Sequence, residues 1–170
     1  MEKQKKLRIL HLLSQRPDST GSVFYVQAML RESLLCNHEN FLIAGVQSDK
    51  PAYLDCINKD QCEFVKFSDA DVSCQIPGMS DVMPYDSSRF SSLSSDEINE
   101  YLASFTEKLK KAVTIFKPDI IHSHHLWIVT SLARQLFPNI PIVTTCHGTD
   151  LRQFKNCSHL QEMVLKGCRK

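Results

Sequence analysis

Glycine is scarce in this chain. It occurs five times in 170 residues, at 21, 45, 78, 148 and 167. Those positions write neither G-x-G-x-x-G nor G-x-x-x-x-G-K-[ST], which tells against a glycine-fingerprint dinucleotide site and a Walker-type phosphate loop. No C-x-x-C pair is present either. The seven cysteines (Cys36, Cys56, Cys62, Cys74, Cys146, Cys157 and Cys168) are odd in number and scattered, and they read as reduced thiols rather than a disulfide framework. No apolar run is long enough to span a bilayer. The first such run, Leu7 to Leu13, contains Arg8 and His11 and lacks a small-residue cleavage site after it, so it is not a secretory signal. These absences together give a cytoplasmic expectation. A net charge of +1 supplies no global field for nucleic acid or an anionic membrane, and Lys3, Lys5, Lys6 and Arg8 read as a solvated lead-in to a strand.

What remains is ordinary globular composition, 42% hydrophobic and 23% charged, in a length that suits one domain. Leu7 to Leu13 (LRILHLL) has the form of a parallel strand covered on both faces. A polar stretch with Pro17 and Gly21 comes next. Val23, Val26, Leu30 and Leu34 then recur at helical spacing. Asn37 to Asn40 stops that helix, and Phe41 to Val46 reads as a second strand, completing a βαβ unit. Cys62 to Phe67 is a third strand, with a short helix or turn over Pro51 to Ile57 before it. Ser68 to Ser95 lacks a period and reads as a long surface loop. Ser94 and Glu97 fit a capping box. The stripe Ile98, Leu102, Phe105, Leu109, Val113 and Phe116 predicts a helix from that point, and Pro118 ends it. Strands over 119–123 and 140–146, a helix over Leu126 to Phe137 and a last helix from Ser158 complete the pattern. The fold class is therefore α/β, a three-layer Rossmann-like parallel sheet with helices on both faces. In such sheets ligands sit beyond the carboxyl ends of the strands. The loops at 14–22, 123–127 and 147–150 are expected there.

Three groups of residues carry chemistry. Thr20-Gly21-Ser22 opens the first helix, where free N–H groups and the helix dipole suit a phosphate. His122-Ser123-His124-His125 ends a strand, with His122 and His124 on one face. No cysteine or carboxylate stands beside them at ligand spacing, so no metal is expected there. Cys146, His147, Cys157 and His159 are an awkward alternative, since adjacent Cys146 and His147 point to opposite faces. The third group is Cys146-His147-Gly148-Thr149-Asp150. His147 can hydrogen-bond a substrate hydroxyl or exchange a proton near neutral pH. The structural alternative is a satisfied histidine, with Asp150 as the N-cap of the next segment.

The same residues carry a resemblance. Ile9-Leu10-His11-Leu12-Leu13, Thr20-Gly21-Ser22, Lys117-Pro118-Asp119-Ile120-Ile121-His122-Ser123-His124 and Ile142-Val143-Thr144-Thr145-Cys146-His147-Gly148-Thr149-Asp150 together resemble the N-terminal domain of retaining glycosyltransferases of family 4. The resemblance implies a two-Rossmann-domain enzyme of the B-type fold that moves a sugar from a nucleotide-sugar donor to an acceptor hydroxyl. It places donor diphosphate contact on Gly21 and Ser22, although relatives carry a second glycine where Ser22 stands. It places sugar orientation on His147, which makes His147 the catalytic candidate. His124, Thr149, Asp150 and Arg89 are the candidates for substrate or acceptor, Arg89 by its position in the loop over 68–95. The acceptor class is a sugar, a lipid-linked sugar or a small alcohol. No cofactor, metal or nucleic acid is implied, and the whole enzyme is expected to be able to associate peripherally with a membrane.

The resemblance also implies a C-terminal donor-binding domain with a pair of spaced glutamates. Nothing after Asp150 supplies it. Residues 1–170 are therefore expected to be the acceptor-side half of an enzyme, inactive alone. Two other readings stand beside this one: a non-catalytic Rossmann-like binding module, and half of a nucleotide-sugar epimerase on the same fold.

Overall fold

The computed structural model describes residues 5–50, 52–68 and 70–168. The strands are β1 (Arg8–Leu13), β2 (Glu39–Gln47), β3 (Cys62–Phe67), the very short β4 (Pro77–Gly78) and β5 (Ser88–Arg89), β6 (Ile120–His124) and β7 (Ile142–Thr145). Five of them form a central sheet, parallel throughout, in the order β3-β2-β1-β6-β7. All five expected strands are present, within two or three residues at each end. The chain first winds outward from β1 through β2 to β3. It then returns to lay β6 on the other side of β1, so the topological switch point lies between β1 and β6.

Each strand alternates its side chains between two helical layers. Leu10, Leu12, Phe41, Ile43, Val65, Phe67 and Ile121 point to one face, which α2 (Ser95–Phe116) and α3 (Ile128–Leu136) cover. Leu13, Leu42 and Ala44 point to the other, beneath Val23, Val26 and Leu30 of α1 (Gly21–Leu35). Asn37, at φ 62°, ends α1 in the left-handed conformation that asparagine tolerates. The chain finishes with α4 (Thr149–Asn156) and α5 (Gln161–Cys168), and α5 packs on α3.

The capping box at the start of α2 is present in both directions. The Ser94 Oγ accepts from the Glu97 N–H at 3.2 Å, and the Ser94 N–H donates to Glu97 Oε2 at 2.8 Å. The expected stripe is centred slightly differently. Tyr101 and Ala112 are fully buried, while Leu102 and Val113 flank the seam.

Three expectations need correction. Neither a helix nor a regular turn forms over 52–57, where the chain only bends at 55–57; a short 3₁₀ segment, Lys59–Gln61, follows, and Pro51 lies outside the described residues. The helix after β6 starts at Ile128 rather than Leu126, because His125 takes φ 78° and breaks the chain direction. The largest correction concerns 68–95, which is not a surface loop. Val72, Cys74 and Ile76 alternate with exposed residues and enter the main core, joined by Met79, Phe90 and Leu93. The short strands β4 and β5 pair within it. Phe90 packs edge-on against Tyr101 and Trp127, with ring centroids 5.8 and 5.5 Å apart. The buried residues keep a period of two for only three positions, too short a run to register as a strand.

Candidate active site

The loop leaving β1 is held rigid from below. Arg16, nearly buried, pairs with Asp18 at 2.8 Å and donates to the Gln47 side chain and the Lys50 carbonyl. Asp18 accepts in addition from the Ser19 hydroxyl and the Tyr53 N–H, and its carboxyl sits below the usual range: burial pushes it up, but these donors outweigh it. This loop presents Thr20 as the N-cap of α1. The Thr20 hydroxyl meets Ser22 Oγ at 3.0 Å instead of a backbone N–H, so no side chain caps the helix, and its first turn contains no acidic residue. Gly21 is the first helical residue, and a Cβ built there would meet nothing within 4 Å. The protein itself does not need glycine at that point. The space it leaves faces outward.

Across the switch point, the loops after β6 and β7 are joined by Asp150. Its carboxylate accepts from the N–H of Leu126 and from the N–H of His147, the latter at 2.8 Å, and stands 3.5 Å from His125 Nδ1. Burial alone would raise this carboxyl; the His125 imidazole and the backbone amides hold it down at about 2. Asp150 is only 2% exposed. It was expected to meet the acceptor, but both of its oxygens are spent on fixing the two loops. Gly148 makes that junction possible by taking φ 81° as the N-cap of α4. His125, also at positive φ without being glycine, shows the strain that tends to gather at ligand sites.

Between these loops lies an open cleft of about 350 Å³, lined on one side by Gln15, Thr20, Gly21 and Ser22 and on the other by His125, His147 and Thr149. Met79, Ser80 and Met83 close its rim, and Arg152 of α4 ties Ser80 in place at 3.1 Å. The Nε2 of His147 and the hydroxyl of Thr149 are buried without a hydrogen-bond partner among the described residues. Burial, and then the neighbouring His125, lower the pKa of His147 despite the opposing pull of Asp150. The ring therefore enters the cleft as a neutral imidazole, able to donate to or accept from a hydroxyl.

Four expected site residues thus converge: Gly21, Ser22, His147 and Thr149. Three lie elsewhere. Asp150 is behind the wall, His124 is 1% exposed beneath it, and Arg89 is exposed on β5, in register with Gly78 and outside the cleft lining. Sequence reasoning placed the loops of Gln15 and His125 at this edge without choosing either as a site residue, and it missed Met79, Ser80 and Met83. Gln15 lies just beyond the first strand and His125 just beyond His124, so loop position alone would have found both. Met79 and Met83 fall in the segment read as loop.

Beneath the cleft floor, on the α1 face of the sheet, three histidines cluster. His11 of β1 lies in register with His122 of β6, and His124 is two residues further along. One ring nitrogen of each lies within 4.8 Å of one from each of the others.

Residues 80–166, just over half of the chain, match the profile described as Glycosyltransferase Family 4. The chain belongs to that family. No curated protein matches it. Among solved structures, this family 4 domain is similar to sucrose-phosphate synthase from Thermosynechococcus elongatus, at 14% identity and a TM-score of 0.49 over 88% of this chain and 35% of that one. It is also similar to the glycotransferase of kitacinnamycin, at 14% identity and a TM-score of 0.42 over 98% of this chain and 43% of that one. The family 4 domain therefore spans well under half the length of either structure. No helix among its described residues is long and apolar enough to cross a membrane.

Proposed function

We propose that residues 1–170 are the acceptor-side, N-terminal domain of a retaining glycosyltransferase that uses a nucleotide-sugar donor, and that this domain alone does not turn over. The observation that carries the proposal is the pairing of two unsatisfied elements across one cleft. One is the uncapped start of α1 at Gly21 and Ser22; the other is the orphan Nε2 of His147. A helix start with free N–H groups and no acidic residue favours an anion, here the donor diphosphate. A neutral imidazole whose buried Nε2 has no partner among the described residues would gain one from a sugar hydroxyl on a small turn of the ring, and Thr149 beside it would supply a second polar contact. As the bond to the diphosphate breaks, negative charge grows on the phosphate oxygens, and the uncapped amides at Gly21 and Ser22 would meet it.

The acceptor, a sugar, lipid-linked sugar or small alcohol, would enter from the rim at Met79, Ser80 and Met83, with Arg89 further out along β5. Cytoplasmic location and peripheral membrane association belong to the same proposal. A C-terminal domain would supply the remaining donor contacts.

Binding and turnover test this separately. A nucleoside-diphosphate sugar titrated into the purified chain should bind weakly, and Gly21→Val should abolish binding while thermal stability is kept, since a side chain there meets no protein atom. In an enzyme that joins this domain to its donor-binding partner, His147→Ala should lower kcat by roughly 10²-fold or more. Turnover by the isolated chain at ordinary enzyme rates would overturn the half-enzyme reading. An unchanged kcat with a lowered Tm would return His147 to a structural role.

A further inference from the structure

We propose that His11, His122 and His124 form a three-histidine site for a divalent ion of the zinc class, set into the sheet beneath the cleft. One pair of nitrogens is already at the required spacing, and the third lies within 4.8 Å of both. Two zinc–nitrogen bonds of about 2.0–2.1 Å at a tetrahedral angle hold their nitrogens about 3.3–3.4 Å apart. His11 Nδ1 and His124 Nε2 are 3.4 Å apart. The three rings share one face of the sheet because His11 is paired in register with His122, and His122 and His124 are two residues apart on one strand.

The outer contacts also match a ligating set. A metal-bound histidine commonly donates its remote N–H to an oxygen, which fixes tautomer and ring angle. Asn40 does this for His11. Its Nδ2 donates to the Leu30 carbonyl, so its Oδ1 faces His11 Nε2 at 3.1 Å and accepts from it, leaving Nδ1 as a lone pair. Thr145 is placed to do it for His122, with its Oγ1 2.8 Å from Nε2 and able to accept from that nitrogen in the tautomer that binds metal through Nδ1. His124 is the unsatisfied member: its Nε2 lies against His11 Nδ1, and its Nδ1 is buried with no partner among the described residues. Binding would replace the contact between His11 and His124 by two bonds to the ion, with the His124 proton moving from Nε2 to Nδ1. The imidazoles are held neutral, as ligands must be, by burial and by one another. Tyr25 of α1 stands over His124 with ring centroids 6.1 Å apart and is itself 41% exposed, so one side chain separates the cluster from solvent there. The fourth position is left to water or hydroxide.

Cobalt(II) and zinc(II) titrations of the 170-residue chain test the proposal. We expect one ion per chain, a tetrahedral visible spectrum for cobalt without a thiolate charge-transfer band, and an X-ray absorption edge for zinc fitted by imidazole nitrogens. Thr145→Val keeps the side-chain shape and should weaken zinc binding by roughly 10–100-fold, the usual effect of losing an outer-contact partner. His124→Gln should abolish the cobalt spectrum. Absence of stoichiometric binding at micromolar zinc would overturn the proposal. So would a thiolate band, which would assign the ion to exposed Cys36, Cys146 or Cys168. Equal affinity in Thr145→Val and the unaltered chain would overturn it as well.

Discussion

The two faces of the sheet are built for different ends. On the α2 face, Leu10, Leu12, Phe41, Ile43, Val65 and Phe67 merge with Tyr101, Phe105 and Leu109 into one continuous apolar body, which the segment 70–94 seals from the side. On the α1 face the apolar patch is smaller, built on β1 and β2 with Cys62 and Phe64 of β3 at its edge. Where that face reaches β6, histidines replace it, and Val143 on β7 is half exposed. One face supplies burial. The other gives up burial for groups that can bind or change protonation, and the cleft lies at its upper edge.

Breaking the α2 face should cost most. Phe105 is fully buried, with its ring 4.8 Å from that of Tyr101. Phe105→Ala removes a large ring from a close-packed site and should destabilise the domain by about 3–5 kcal/mol, read from the urea midpoint. A loss below about 1 kcal/mol would mean that the two faces contribute alike.

Acid should act on the other face. Burial, then the neighbouring His122, drop the His11 pKa from 6.5 to about 4, against the pull of Asn40. His122, His124 and His147 are lowered as well, each mainly by burial. In the unfolded chain these rings take up protons near pH 6.5, whereas in the folded chain they do so only at lower pH, His11 at about 4. The unfolded state therefore binds more protons in that window, and stability falls as pH drops. Above pH 6.5 their contribution is complete and flat. For His11 alone the loss on reaching pH 4 is about 3 kcal/mol. On the α2 face Cys74 is raised to about 11 by burial and stays neutral throughout, so it adds nothing to the slope. Urea unfolding at pH 7.5, 6, 5 and 4 should show a plateau and then a decline. A flat profile down to pH 4 would mean that the buried imidazoles take up protons without cost.

This division also explains what the sequence discloses. The strands of the sheet are short apolar runs between polar breaks, so their number and order can be read directly, and the capping box at Ser94 marks the start of α2 to the residue. Parallel order then places the loops after β1, β6 and β7 at one edge, which is why Gly21, Ser22, His147 and Thr149 can be grouped from sequence. Other features depend on contacts between distant positions. His11 joins His122 only through the register of two strands far apart in sequence. Asp150 looks like a ligand group until its oxygens are seen to hold two backbone amides. The segment 70–94 buries side chains against tertiary neighbours without any sustained local period.

The smallest predicted effect compares the two helix starts directly. Ser94 on the α2 face spends its hydroxyl on the Glu97 amide, so Ser94→Ala should cost about 1 kcal/mol, as for loss of an N-cap. Thr20 holds the corresponding position on α1, but its hydroxyl turns to Ser22 Oγ and caps no amide. Thr20→Ala should therefore change stability by no more than about 0.5 kcal/mol. Both variants remove a hydroxyl at the same helix position, so the difference between their urea midpoints isolates the cap. A helix start that loses nothing with its hydroxyl has no side-chain cap on its amides, which the proposed phosphate contact requires. An equal loss at both positions would show that Thr20 caps α1 in solution, and it would remove the anion-binding role of Gly21 and Ser22 along with it.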